Sequence, residues 1–250
     1  MARQRIAVAG ATGRVGSHVV DVLDAQGYEV VPIARAAGVD LITGEGLVDA
    51  LSGVSAIVDA ATGPSPDEAG ATEFFTTAAH NLQELGAQAG VRRIVVVSIV
   101  GIDHFSHGYY AAKQAHERAH LAGPVPVRIL RATQFHEFVG ELVEWGRDGE
   151  VSRVPGMRTQ LVAARTVAEK LAQLTAETNG PVTSEIGGPR EERLVEAARL
   201  LVASRGDQLR IEEGDWPDLI DPAMTESDAL LPGPGATLAG PTFEEWLASR

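Results

Sequence analysis

Arg5-Ile-Ala-Val-Ala-Gly-Ala-Thr-Gly-Arg-Val-Gly16 is the stretch that decides the fold of this chain. Arg5–Ala9 has the length and apolar content of a buried strand. It runs directly into a turn bearing Gly10, Gly13 and Gly16, and then into Val19, Val20 and Leu23 at helical spacing. The glycines allow a tight turn and close backbone approach, and the unpaired amides and dipole at a helix start attract a diphosphate. Because the strand and the helix flank the glycines on both sides, the segment predicts a dinucleotide site built from Gly10, Thr12, Gly13, Arg14, Val15 and Gly16.

Working outward, the same alternation continues. Glu29–Ala34, Ser55–Ala60, Arg93–Ser98, Val125–Arg131 and Val182–Ile186 read as strands. Helical patterns fall at Asp67–Ala89, 108–122, Thr166–Ala176 and Arg190–Ala203. Strands alternating with helices imply an α/β fold with a doubly wound, Rossmann-type parallel sheet. A Gly/Pro-rich loop at Leu230–Pro241 precedes a short final helix, Phe243–Ala248, and suggests a small C-terminal elaboration covering the substrate. At 250 residues the chain is read as one NAD(P)-binding domain, residues 1–250, with substrate-side elements mainly from about 134–160 and 187–250.

Thirty-four acidic against 21 basic residues give a formal net charge of −13, which opposes nonspecific binding to nucleic acid or anionic membrane. Cysteine is absent, so disulfides, thiolate ligands and a cysteine nucleophile are excluded. The start shows no signal-like apolar segment and no stretch long enough to cross a bilayer, so a cytoplasmic location is expected. Neither Gly-x-Ser-x-Gly nor Gly-x-x-x-x-Gly-Lys occurs, which removes the simplest hydrolase and phosphotransferase readings.

Two further features bear on chemistry. The second strand ends at Arg35, where an NAD-specific chain more often has an acidic residue for the ribose hydroxyls. Together with Arg14 it favours the 2'-phosphate of NADP, with NAD still possible. Tyr109 and Lys113, one of three tyrosines and one of two lysines, stand at i and i+4 on an Ala-rich helical segment and so share a face. An ammonium there can stabilise a phenolate, making the tyrosine a candidate general acid.

The glycine turn, Ser98 ending a valine run and Tyr109-x-x-x-Lys113 together resemble the short-chain dehydrogenase/reductase superfamily, and more closely its atypical, NmrA-like NAD(P)-binding branch. Val39-Asp-Leu41, Ser98-Ile-Val-Gly-Ile-Asp103 and Ile129-Leu-Arg-Ala-Thr-Gln-Phe135 add to the likeness. The resemblance implies an oxidoreductase in which Tyr109 protonates a carbonyl oxygen, Lys113 lowers its pKa and holds the nicotinamide ribose, and Ser98 orients the carbonyl. It also places Asp40 and Leu41 near the adenine and Ala60, Ala61 and Thr62 against the cofactor, and it matches Asn81 to a helix asparagine. The substrate expected is a small carbonyl or quinone. The branch also contains redox sensors that bind dinucleotide without turnover, so a noncatalytic sensor acting through a protein partner is the alternative.

His116-Glu-Arg-Ala-His120 matches the His-Glu-x-x-His zinc pattern, with His136, Glu137 or Glu141 as possible third ligands. In a dinucleotide-binding scaffold the match is read as chance, and no metal is expected. His104 and His107 are read as solvated, and Glu212-Glu-Gly-Asp215 as acidic surface. Phe105, Gln134, Phe135, His136, Phe138 and Trp145 fall in loops after strand ends, where they could line a partly apolar pocket.

Overall fold

The computed structural model describes residues 3–177, 179–214 and 227–250. In chain order its elements are β1 (Arg5–Ala9), α1 (Arg14–Ala25), β2 (Glu29–Ile33), α2 (Leu47–Leu51), β3 (Val54–Asp59), α3 (Glu68–Gln88), β4 (Ile94–Ile99), α4 (Gly108–Leu121), β5 (Val127–Ala132), α5 (Phe138–Trp145), β6 (Arg147–Asp148) and β7 (Val151–Val154). They continue with β8 (Arg158–Thr159), α6 (Ala164–Ala176), β9 (Thr183–Gly187), β10 (Glu192–Arg193), α7 (Leu194–Arg205), β11 (Arg210–Glu213), β12 (Thr237–Leu238) and α8 (Phe243–Ala248). Seven strands form one sheet in the order β12-β9-β5-β4-β3-β1-β2. This is the doubly wound α/β sheet expected from the alternation of strands and helices.

The chain divides into two compact units. The first comprises Met1–Ser98, Phe105–Arg131 and Val167–Ser184, and the second Ile99–His104, Ala132–Thr166 and Glu185–Arg250.

In the first unit β1 lies between β2 and β3, parallel to both, with Ala7 opposite Val31 and Ile57. Ile6, Ala7, Val8 and Ala9 are almost fully buried, which explains their unbroken apolar run. Helix α1 covers the sheet with Val15, Val19, Val22 and Leu23, an i, i+4, i+7, i+8 stripe. Ile57, Leu82, Ile94 and Ile129 are completely or almost completely buried in the same core, each stabilising it by about 1.5–3 kcal/mol. Helix α3 starts at Asp67, whose carboxylate accepts from the Gly70 amide at 2.9 Å. Small residues let α3 and α4 approach: Ala71 and Phe75 meet Ala112, with Tyr109 at the margin.

Buried Gln83 of α3 replaces a missing backbone partner for the loop after α4. Its Nε2 donates to the carbonyls of His120 (2.8 Å) and Val125 (3.3 Å), and its Oε1 accepts from the Val125 amide at 2.8 Å. Substituting a leucine would remove the partner of the Val125 amide and carbonyl, while the His120 carbonyl would keep the Gly123 amide.

In the second unit β7 pairs parallel with β11 and antiparallel with β6. Thr242 and Glu245 form a reciprocal capping box at the start of α8, and Phe243 and Trp246 pack on the ring of buried His136, each at 5.3 Å between centroids. The Gly/Pro-rich stretch read as a loop contains β12, which extends the sheet beside β9. A two-residue strand leaves no period to detect. Among the described residues no helix is long and apolar enough to cross a membrane.

Candidate functional site

The three glycines of the first turn have different physical duties. Gly10 lies at φ +72°, and a Cβ there would stand 2.6 Å from the Ala60 carbonyl oxygen, so both its conformation and its surroundings require glycine. Gly13 is the residue before α1, its amide donating to the Gly10 carbonyl at 2.9 Å. Gly16, inside α1, abuts Gly10, and a Cβ would lie 2.7 Å from the Gly10 carbonyl carbon. No side chain caps the helix and no acidic residue sits in its first turn, so its amides and dipole face an exposed Thr12-Gly13 turn with nothing negative to match them. That combination fits a bound diphosphate.

Ala60, Ala61 and Thr62 follow β3 and face this turn. The β1 to β3 step is where strand order reverses, the usual ligand crevice of such sheets. Arg35 is exposed at the first position after β2 and Ala34. Asp40 is occupied by its own loop: its Oδ1 accepts from the amides of Ile42 (2.7 Å) and Thr43 (3.0 Å), bonds that hold its carboxyl below the usual range. Asn81 donates to the carbonyls of Leu41 (2.7 Å) and Ile42 (3.1 Å), fixing the same loop from α3. It therefore serves the Asp40–Leu41 loop rather than the helix of Tyr109 and Lys113.

Ser98, Tyr109 and Lys113 all belong to the first unit. Ser98 is 2% exposed, and its hydroxyl has no hydrogen-bond partner. Helix α4 starts with the Gly108 amide donating to Glu68 at 2.7 Å, which anchors Tyr109 one residue later. The tyrosine ring packs edge-on against Phe75 at 5.7 Å. Burial raises its phenol above the ordinary value, while the Thr62 side chain and the charge of Arg14 act in the other direction.

Tyr109 and Lys113 occupy the same helix face, yet the ammonium turns into the core. Lys113 Nζ donates to the Val97 carbonyl at 3.0 Å, meets His116 Nδ1 at 2.9 Å and lies 4.5 Å from the centre of the Phe75 ring. Burial lowers its pKa to about 8, opposed by the charges of Asp59 and Glu117. The phenol is thus governed by burial, Thr62 and Arg14 instead of the expected lysine.

Behind Lys113 lies a cluster in which the two histidines of the His-Glu-x-x-His match share a partner that the sequence pattern did not reveal, Asp59. His116 Nε2 and His120 Nε2 both reach Asp59 Oδ2, at 3.0 and 2.9 Å, and all three side chains are at most 1% exposed. Burial, together with the neighbouring ammonium, lowers the His116 pKa to about 3. The carboxyl of Asp59 is held well below its ordinary value, its burial outweighed by the two imidazoles. Its other oxygen accepts from the Ala61 amide at 3.0 Å, which ties the cluster to the post-β3 loop. The signal was present in α4: Tyr109, Lys113, His116 and His120 fall at i, i+4, i+7 and i+11, a polar stripe where a core-facing helix normally carries apolar residues.

Within the His-Glu-x-x-His match the glutamate points elsewhere. Glu117 receives Arg131 on both oxygens, at 3.0 and 2.7 Å, so it is an ion-pair partner and not a base aimed between the histidines. His104 and His107 are exposed. Phe105 stacks on Tyr110 at 4.3 Å, His136 is enclosed by α8, and Trp145 is exposed. Arg153 and Arg193 pair with Glu212 and Glu213 respectively, while Asp215 lies outside the described residues.

A family model described as NAD(P)H-binding matches residues 10–178, more than half of the chain. The chain belongs to this NAD(P)H-binding family. The match agrees with the NAD(P)-binding character that the motifs implied. Comparison with curated proteins finds no match. Among solved structures, this family member is similar to MoeE5 in complex with UDP-glucose and NAD (22% identity, TM-score 0.72, covering 98% of this chain and 96% of that one). It is also similar to TunA, a NAD-dependent NDP-hexosamine 5,6-dehydratase of tunicamycin biosynthesis (18%, 0.70, 99% of each chain). A third is the UDP-N-acetylglucosamine 4-epimerase of Bacillus cereus (17%, 0.71, 98% and 94%). At these identities the likeness is one of fold, shared by NAD(P)-binding oxidoreductases, epimerases and dehydratases.

Proposed function

We propose that this protein is an NADPH-dependent oxidoreductase reducing a small carbonyl or quinone, with Tyr109 as proton donor. The observation that carries the reading is the state and place of the phenol: burial keeps it protonated at neutral pH, and its neighbours are Thr62 and Arg14 of the two dinucleotide loops. A protonated tyrosine suits the reductive direction, in which a proton must reach the developing alkoxide. Reduced nicotinamide, when bound, supplies the hydride. The unsatisfied hydroxyl of Ser98 supports a role in orienting the carbonyl oxygen, and Gly10, Gly13, Val15 and Gly16 shape the diphosphate turn. The exposed Arg35, with the Asp40 carboxylate occupied by the Ile42 and Thr43 amides, supports a preference for the 2'-phosphate over a free ribose hydroxyl.

Loss of NADPH absorbance with a panel of aldehydes, ketones and quinones, with UDP-glucose as a contrast substrate, tests this reading. Tyr109→Phe should lower carbonyl turnover by about 10²–10⁴-fold with dinucleotide affinity nearly unchanged. Undiminished turnover rejects the role.

One observation favours a noncatalytic sensor: Lys113 is engaged by Val97 and His116 and not by the phenol. A sensor must distinguish NADP from NADPH, so calorimetry giving equal affinities for the two forms excludes it.

A further inference from the structure

Lys113 is held from behind by a hydrogen-bond chain whose proton positions are fixed by its ends. The ammonium only donates, so His116 Nδ1, 2.9 Å away, must accept and carry a lone pair. The proton of the neutral ring is then on Nε2, which donates to Asp59 at 3.0 Å. His120 Nε2 donates to the same oxygen at 2.9 Å, and Ala61 supplies an amide to the other. We propose that Asp59 and His116 form a positioning dyad for Lys113, with the carboxylate fixing the imidazole tautomer so that its Nδ1 keeps the ammonium charged and directed.

The same arrangement connects Lys113 to the post-β3 loop, because Asp59 holds Ala61 and His116 together. This deepens the oxidoreductase reading by giving its lysine a control that Tyr109 does not provide, and it rests on that reading for its functional meaning. Proton bookkeeping also separates the dyad from a metal site. Asp59, His116 and His120 bring three ligand atoms within 4.8 Å of one another. A cation bound through both Nε2 atoms would place the His116 proton on Nδ1, donor against donor with the Lys113 ammonium. The chain as it stands satisfies His116 and Lys113 without one.

The charged and titratable groups around Lys113 are few enough to follow individually. They are Asp59 on β3, and His116, His120 and Glu117 on α4, with Glu117 paired to Arg131 of β5; α3 contributes the Phe75 ring. With the carboxylate removed, Lys113 keeps its burial but loses its largest favourable charge. Moreover, an amide at position 59 must present an N–H to one of its three partners, which can invert the His116 tautomer.

The chain contains two lysines, so lysine-selective isotope labelling gives two side-chain NMR signals, with half-buried Lys170, whose ammonium donates to Gln173, as internal control. The expected result for the intact protein is Lys113 titrating near pH 8 and His116 as the neutral Nε2–H tautomer. Asp59→Asn should move the Lys113 titration down by at least one pH unit and leave Lys170 in place, and His116→Gln provides a second variant. An unmoved Lys113 in both folded variants overturns the dyad, as does the opposite tautomer in the intact protein. Stoichiometric zinc uptake that displaces both Nε2 protons also overturns it and makes the trio a metal site. None of these readouts requires turnover. A failed Tyr109→Phe result with a shifted Lys113 would therefore sink the enzyme reading alone.

Discussion

Replacing Gly16 with alanine sets two effects of opposite sign against each other. Gly16 is in α1, where alanine is favoured over glycine by about 0.8–1.0 kcal/mol, so propensity alone predicts a more stable protein. The new Cβ, however, would lie 2.7 Å from the Gly10 carbonyl carbon and 3.2 Å from Ala11 Cα. Ordinary carbon contacts are about 3.5–4.0 Å, so the turn must move by roughly 1 Å. Neither neighbour is a flexible side-chain tip. Overpacking of this kind costs about 1–3 kcal/mol and occasionally more, and against rigid backbone the upper end applies, which leaves a net loss of about 2 kcal/mol, or a Tm lowered by roughly 4–8 °C. Since the displaced atoms shape the turn proposed to hold the diphosphate, dinucleotide affinity should fall at least about tenfold. Gly86→Ala in α3 is the control, because its Cβ would meet only side chains at 3.4 Å or more. Differential scanning calorimetry and fluorescence titration with NADPH measure both quantities. A Gly16→Ala protein that melts at a higher temperature and binds as tightly as the parent would refute the reasoning.

Other expectations are more compact. Arg35→Ala should weaken NADPH about 10–100-fold and leave NADH nearly unchanged, as isothermal titration of both dinucleotides would show. Glu117→Gln leaves Arg131 half-matched in a buried setting and should cost about 3 kcal/mol in urea unfolding, whereas an exposed pair such as Arg147 with Glu144 should cost little. In acid, His116 binds its proton with a pKa of about 3 when folded and near 6.5 when unfolded. Between these values the unfolded chain takes up a proton that the native state refuses, so stability falls as pH falls. Two pH units below 6.5 should remove about 2.7 kcal/mol more from the parent than from His116→Gln, read as the pH dependence of urea midpoints. Lys113 acts at the other end: with a folded pKa of about 8, it makes stability rise with pH between about 8 and 10.5.

The dinucleotide half was legible because its physics is local. Gly10 through Gly16 show their turn, packing and helix start in seven consecutive residues, and β1, β3 and β4 show uninterrupted apolar runs. The direction of Lys113 was not legible. Spacing placed it on the face of Tyr109, but Asp59, which helps draw it inward, is 54 positions away in sequence. The two-residue strands of the second unit have no periodicity. Helix α5 was hidden because Phe138 and Trp145 were read as pocket lining, although they contact each other edge-on at 5.4 Å.

The amide of Gln83 has a consequence for how the molecule meets acid. It is the side chain that joins α3 to the backbone at His120 and Val125, and it has no proton to gain or lose in the physiological range. That joint is therefore electrically deaf, although it touches the very residue whose ring belongs to the buried carboxylate's circle. Acidity can rewrite the histidine ring's environment while the neighbouring seam keeps the same donors and acceptors, like a fixed hinge pin beside a turning key.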